Sequence, residues 1–354
     1  MTISYNSGRR IQGTSTDVAS IPAISGGWKE LGRTTLGSGN VNISVSSLAN
    51  KRYLMVLKSF SGSTGGNDRL NGDSGSNYAG RRSHNGGSDS TFASVTAYPW
   101  GNAGYTTTPN FIVENISNKS NKEKLIQRNW VYQGSSGAGT APQRLEVVAK
   151  WANTSDAINA VSMYSQTSNW DSGSEVVVLG WDPADTHTDN FWEELASVNA
   201  DGTGTALDSG VFTAKKYLWI QSYTAYGSGS HISPQLQVGN GTIDTGANYA
   251  VRYSDNGTAD NAWTGTSNMN YGYAGGADTK PIFTNTFIIN NAGQEKLSIN
   301  HAIEAETAGA GYVPTRIEDV GKWVNTSAQI NRVQWGLNTG NISNKSTMKV
   351  WGSN

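Results

Sequence analysis

The chain has 354 residues, no cysteine, and 26 basic against 27 acidic side chains, a net charge of −1. That balance leaves no electrostatic footprint for nucleic acid, and the lack of cysteine excludes disulfides and thiolate metal sites. No run approaches the ~18 apolar residues of a membrane-spanning helix. Disorder is excluded as well, because 12 Trp and 15 Tyr supply large apolar faces. With 42 Gly, 8 Pro and 15% charged residues, the composition is that of a β-rich protein with many short strands and tight turns.

Residues 1–27 (MTISYNSGRRIQGTSTDVASIPAISGG) are polar and rich in turn residues, and they carry Arg9 and Arg10. They read as an extended N-terminal arm suited to lying along a neighbour or docking to a shell. The first ten residues have no apolar core of the signal-peptide kind, so the expectation is synthesis in the cytoplasm and exit by lysis. From Trp28 onward the chain is one module written twice. Residues 142–159, PQRLEVVAKWANTSDAIN, return as 314–331, PTRIEDVGKWVNTSAQIN, with 11 of 18 positions identical. Residues 73–86, DSGSNYAGRRSHNG, return as 244–257, DTGANYAVRYSDNG, with nine of 14 identical. The first module spans 28–180, a polar linker 181–191, and the second module 192–354. The offset between copies grows from 164 at Lys51/Lys215 to 171 at Asp73/Asp244, which places an insertion within 219–243. Insertions of this kind fall in surface loops.

Strand signals recur every 10 to 15 residues with Gly, Asn, Ser or Asp between them. The run 53–57 is continuously apolar, as suits a strand buried on both faces. Residues 144–151 alternate, with Arg144, Glu146, Val148 and Lys150 on an outward ladder and Leu145, Val147, Ala149 and Trp151 on a core face. Trp151 and its copy Trp323 read as core residues. The segment 154–164 is ambiguous, and the β-branched and aromatic residues of its copy (Ile330, Val333, Trp335) favour a strand. Eight to ten strands per module predict an all-β fold of two tandem, homologous, jelly-roll-like β-sandwich domains preceded by the arm.

The repeated 73–86 block is a turn, a strand and a second turn at Asn-Gly. It has two readings. One is structural, with Arg81 paired to a carboxylate such as Asp73. The other is a polar glycan-binding face made of Asp73, Asn77, Tyr78 and Arg81 and, in the copy, Asp244, Asn248, Tyr249 and Arg252. Asp, Asn and Arg suit sugar hydroxyls, and an exposed tyrosine ring would stack on a sugar's C–H face. Enzyme signals are poor. The four histidines have no counterparts between modules and no metal-ligand spacing. No G-x-S-x-G, P-loop or H-E-x-x-H motif occurs. Acid clusters occur at Glu193-Glu194, Glu304 with Glu306, and Glu318-Asp319, and on an all-β surface such acids are solvated. The loop 66–73 offers oxygen atoms for calcium but lies in no EF-hand or nonapeptide repeat. The expectation is a non-enzyme with no cofactor and no bound metal.

The arm SYNSGRRIQGTSTD, the W-x-E-L openings at Trp28 and Trp192, and the module closing in GSEVVVLG resemble β-sandwich virion proteins of marine tailed phages and related archaeal viruses. Those are tail, fibre or capsid-decorating components. The resemblance implies a virion-surface structural protein, a homo-oligomer (a trimer foremost), docking to other virion proteins through the arm, and contact with host-surface glycans. It implies no nucleic-acid partner and no membrane insertion. Two alternatives stand beside it. One is a tandem carbohydrate-binding module protein, in which two weak sites gain avidity. The other is a double jelly-roll major capsid protein.

Overall fold

The computed structural model describes residues 27–99, 107–183, 185, 190–228, 234–270, 281–305, 309–337 and 340–354. The arm residues Arg9 and Arg10 lie outside them. Among the described residues every regular element is a strand: twelve up to Trp181 and fifteen from Glu193 onward. This exceeds the expected eight to ten per module. Part of the excess is two-residue pairings such as Tyr98–Pro99, Thr242–Ile243 and Asn341–Ile342, which are too short to show a period of two.

The first half forms an eight-stranded antiparallel sheet in the order Lys29–Thr35, Glu175–Trp181, Tyr53–Phe60, Asn110–Ser117, Lys124–Tyr132, Gln143–Trp151, Tyr78–His84, Ser90–Val95. A small sheet of Asn42–Val45, Val161–Ser165, Gly66–Leu70 and Tyr98–Pro99 covers one face. The second half repeats this order: Glu193–Asn199, Thr347–Ser353, Tyr217–Thr224, Ile282–Ile289, Lys296–Glu304, Thr315–Trp323, Tyr249–Asp255, Asn261–Thr266. Its small sheet centres on Arg332–Leu337 and Pro234–Asn240. The ambiguous segment near 154–164 thus ends in a strand in both copies. The Asn-Gly turns hold both residues at positive φ, 50° and 68° at Asn85-Gly86 and 53° and 74° at Asn256-Gly257, the conformation that favours this residue pair.

Alternation decides which face each side chain takes. Leu54, Val56 and Phe60 enter the core between the first pair of sheets, with Leu145, Val147, Ala149 and Trp151. Met55 and Leu57 point the opposite way, into a third apolar cluster with Phe111, Val113 and Val131. The same cluster holds Tyr217, Phe287, Ile289, Leu297, Ile299 and Val320 from the second half. The two large sheets therefore pack against each other, and the layers run small, large, large, small. This is why the run at 53–57 is apolar at every position.

Candidate functional site

The repeated block is a corner of the fold in both halves. Asp73 accepts hydrogen bonds from the Gly75 N–H (2.7 Å), Asn77 Nδ2 (2.9 Å) and Trp151 Nε1 (2.6 Å). Asp244 accepts the equivalent three from Gly246 (2.8 Å), Asn248 (2.9 Å) and Trp323 (2.8 Å). Burial pushes both carboxyls up, yet the donated hydrogen bonds outweigh it and hold them below the usual aspartate range. The Tyr78 hydroxyl accepts from the Leu70 N–H at 3.0 Å and lies 3.3 Å from the Leu70 and Asp73 carbonyls. Tyr249 does the same with Val238 and Asp244. Both rings are buried, at 1% and 0% exposure. This corrects the expectation of ring faces open to sugar: the tyrosines close backbone groups that would otherwise be unpaired beneath the sheet.

The two arginines of the block diverge. Arg81 is exposed and pairs with Asp89 at 3.1 Å, not with Asp73. Arg252 is half-buried and donates through Nε to the Pro142 carbonyl of the first half (2.8 Å). The structure thus gathers Asp73, Asn77 and Tyr78 around Trp151, and Asp244, Asn248 and Tyr249 around Trp323, and leaves the arginines apart.

The outward ladder at 144–151 is also corrected in part. Arg144 is buried between the halves, bonded to Asp260 (2.6 Å), Glu146 (2.7 Å) and Glu318 (3.1 Å). Glu146, Glu318 and His301 form the one cluster of metal-ligand type found among the described residues. Its oxygens already face the Arg144 guanidinium, which repels a cation, so the cluster is an ion-pair network. In the other acid clusters Glu193 faces Lys215 (2.7 Å), Glu194 faces Lys349 (2.8 Å) and Asp319 accepts from Asn300 (2.6 Å), while Glu306 of the Glu304–Glu306 pair lies outside the described residues. The expected 66–73 loop is instead the strand Gly66–Leu70 and the turn after it, and Asp68 is fully buried between Lys58 and Arg128, so its oxygens are not presented to calcium.

What is open is the outer face of the first large sheet, beside the joint. A groove of about 740 Å³ lies there, lined by Trp28, Tyr53, Leu125, Gln127, Val148 and Trp181 among others. Tyr53 and Trp181 stack with centroids 5.4 Å apart, while Leu125 and Val148 are 57% and 54% exposed. Next to it a polar hollow of about 280 Å³ is lined by Arg81, Asp89, Glu146 and neighbours. Sequence reasoning missed this surface. Its signal was Leu125 and Val148 on outward positions of strands whose other face is core.

The chain matches no family model and no curated protein. Among solved structures it overlaps mouse laminin alpha1 chain domains LG4-5, with 11% identity over 90% of this chain and 88% of that chain, at a TM-score of 0.21. It also overlaps the LG1-3 region of the laminin alpha2 chain, with 8% identity over 88% of this chain and 62% of that chain, at 0.22. Overlaps at these scores carry no argument, and the β-sandwich assignment rests on the sheets described above.

Proposed function

We propose that the chain is a structural component of an assembled particle, a virion-surface protein that acts by docking rather than by catalysis. The observation that carries this reading is where its chemistry goes. Of the polar side chains kept in both copies, those of the corner, Asp73/Asp244, Asn77/Asn248 and Trp151/Trp323, are consumed by the fold. The exposed surface that remains unusual is apolar and lies on the large-sheet faces, where a protein partner fits better than a substrate. The sequence resemblance to phage surface proteins supplies the setting, with the arm at 1–27 as the docking element. The test is peptide mass analysis of particles purified from a producing culture. The chain is expected in the particle fraction in many copies, and its recovery only as free protein would contradict the reading.

A second reading, glycan binding, is favoured by one observation: Trp28, Tyr53 and Trp181 line the open groove, and aromatic rings stack on sugar C–H faces. A glycan array with the full chain, repeated with Trp181→Ala, separates the two. Binding lost in the variant supports the glycan reading, and no binding to any glycan removes it.

A further inference from the structure

The two large sheets meet head to tail. Strand register sets the equivalences. Tyr53 pairs with Ser117 as Tyr217 pairs with Ile289, and Phe111 pairs with Val131 as Phe283 pairs with Ile303. The joint uses one end of the first sheet's face (Met55, Leu57, Phe111, Val131) and the opposite end of the second (Tyr217, Ile289, Leu297, Val320). On the first sheet, the positions equivalent to that second group are Tyr53, Ser117, Leu125 and Val148, which line the open groove. On the second sheet, the positions equivalent to the first group include Phe283 and Ile303, which are 44% and 54% exposed. Each half therefore carries both surfaces, and within one chain one copy of each is used; of the other copies, only the edge nearest the joint (Trp219 and Trp351, equivalent to Met55 and Leu179) is covered.

Polar groups repeat the pattern. Across the joint Arg144 reaches Asp260 and Glu318. The equivalents are Arg316, 59% exposed and paired within its own half to Glu318, on one end, and Asp89, paired to Arg81, with Glu146, paired to Arg144, on the other. Arg252 donates to the Pro142 carbonyl, and the Gly265 N–H donates to that of Ala138. The free equivalents are Arg81 with Pro314 and Ser94 with Ala310, where Ser94 and Gly265 share a positive φ of 52° and 62°. Ala141, at the joint, is 4% exposed, while its equivalent Val313 is 85% exposed. Of the ten exposed large apolar residues described, three (Tyr53, Leu125, Val148) lie on the first free surface and five (Tyr223, Phe283, Ile303, Tyr312, Val313) on the second.

We propose that a second copy of this chain docks its second half onto the first half of this one, through the contact that already joins the halves within a chain. The free copies are the more polar: Leu57, Val113 and Val177 become Gln221, Asn285 and Lys349. The contact between chains is accordingly weaker than the internal joint and reversible. It is heterologous, with different surfaces on the two partners, so its repetition generates rings or filaments. A closed ring of three is the form the trimer expectation requires. The inference deepens the assembly reading above by naming the occupant of the apolar surface, and it needs no particle to be tested.

The experiment is light scattering on the full chain and on variants blocked at one end: Val313→Asp with Arg316→Glu, or Leu125→Asp. The unchanged protein is expected to gain mass with concentration. Each blocked variant alone should stay at 37.7 kDa, with association weakened at least about 30-fold, as for loss of a desolvated charge pair. An equimolar mixture of the two variants should form a 1:1 dimer, because each supplies the end that the other lacks. Equal unfolding midpoints of all three proteins establish that the variants fold. An unchanged protein that stays monomeric up to millimolar concentration overturns the proposal. So does association of that protein with no dimer in the mixture, which would indicate a self-complementary contact. A monomeric chain found on particles sinks this inference and leaves the assembly reading standing, and an associating chain absent from particles does the reverse.

Discussion

The two sandwich cores share a strand lattice and fill it with opposite chemistry. In the first, Lys58, Asp68, Glu114 and Arg128 are all fully buried and ion-paired, with Lys58 Nζ 2.9 Å from both acids and Arg128 bonded to both. In the second, the positions of Lys58, Glu114, Arg128 and Asp68 hold Ser222, Thr286, Asn300 and Leu236. There Thr286 donates to Asn300 (2.7 Å), and Asn300 donates to Asp319 (2.6 Å). The lattice tolerates four charges or none. At these four positions each buried polar side chain finds a partner, as the penalty for leaving one unpaired exceeds the net gain of any pair.

The sharpest way to break this comparison is Arg128→Met. It leaves two buried carboxylates facing one lysine and should cost about 3–5 kcal/mol in chemical denaturation. Replacing all four charges together by apolar residues of similar volume (Lys58→Met, Asp68→Leu, Glu114→Leu, Arg128→Met) should be nearly neutral or stabilising, by up to about 4 kcal/mol. If the single and quadruple changes cost the same, the tetrad does not act as a unit. Next come the corners, where the halves agree. Trp151→Phe and Trp323→Phe each remove one donor from an aspartate and should each cost about 1–3 kcal/mol, and clearly unequal losses would show that the corners are not equivalent.

Asp319 separates the cores by pH. Burial pushes its carboxyl well above the usual aspartate range, so the folded state holds a proton that the unfolded state releases. Stability from this group is fully present below the ordinary aspartate pKa and is lost as pH rises toward the folded value. Asp319→Asn should therefore stabilise the protein at neutral pH relative to the parent, and more so as pH rises. It should also flatten the pH dependence of the unfolding midpoint, and an unchanged profile would contradict the assignment. The smallest effect belongs to Arg81→Ala, whose exposed pair with Asp89 is worth at most about 1 kcal/mol to the isolated chain.

Much of this was legible in the sequence because duplication exposes what a module cannot change. The alternation at 144–151 placed Leu145, Val147 and Trp151 correctly in the core, and Asn-Gly marked the turns. The tyrosines of the repeated block were not legible as buried. Their hydroxyls bond to main-chain groups of Leu70 and Val238, outside the repeated block, and no periodicity reports that. Arg144 read as part of a solvated ladder because its partners Asp260 and Glu318 lie 116 and 174 residues away. The groove stayed hidden for the same reason: outward positions look alike in sequence whether or not another sheet covers them.

The central claim is that the joint between the halves is reused between chains. Amide hydrogen exchange of the full chain at low and high concentration tests it most directly. Ser90–Val95 is the edge strand of the first large sheet, and residues 309–316 carry Ala310, Val313 and Arg316. The account predicts that exchange slows in both segments together as concentration rises, led by the Ser94 amide. No change in either segment, or protection of only one, would contradict it.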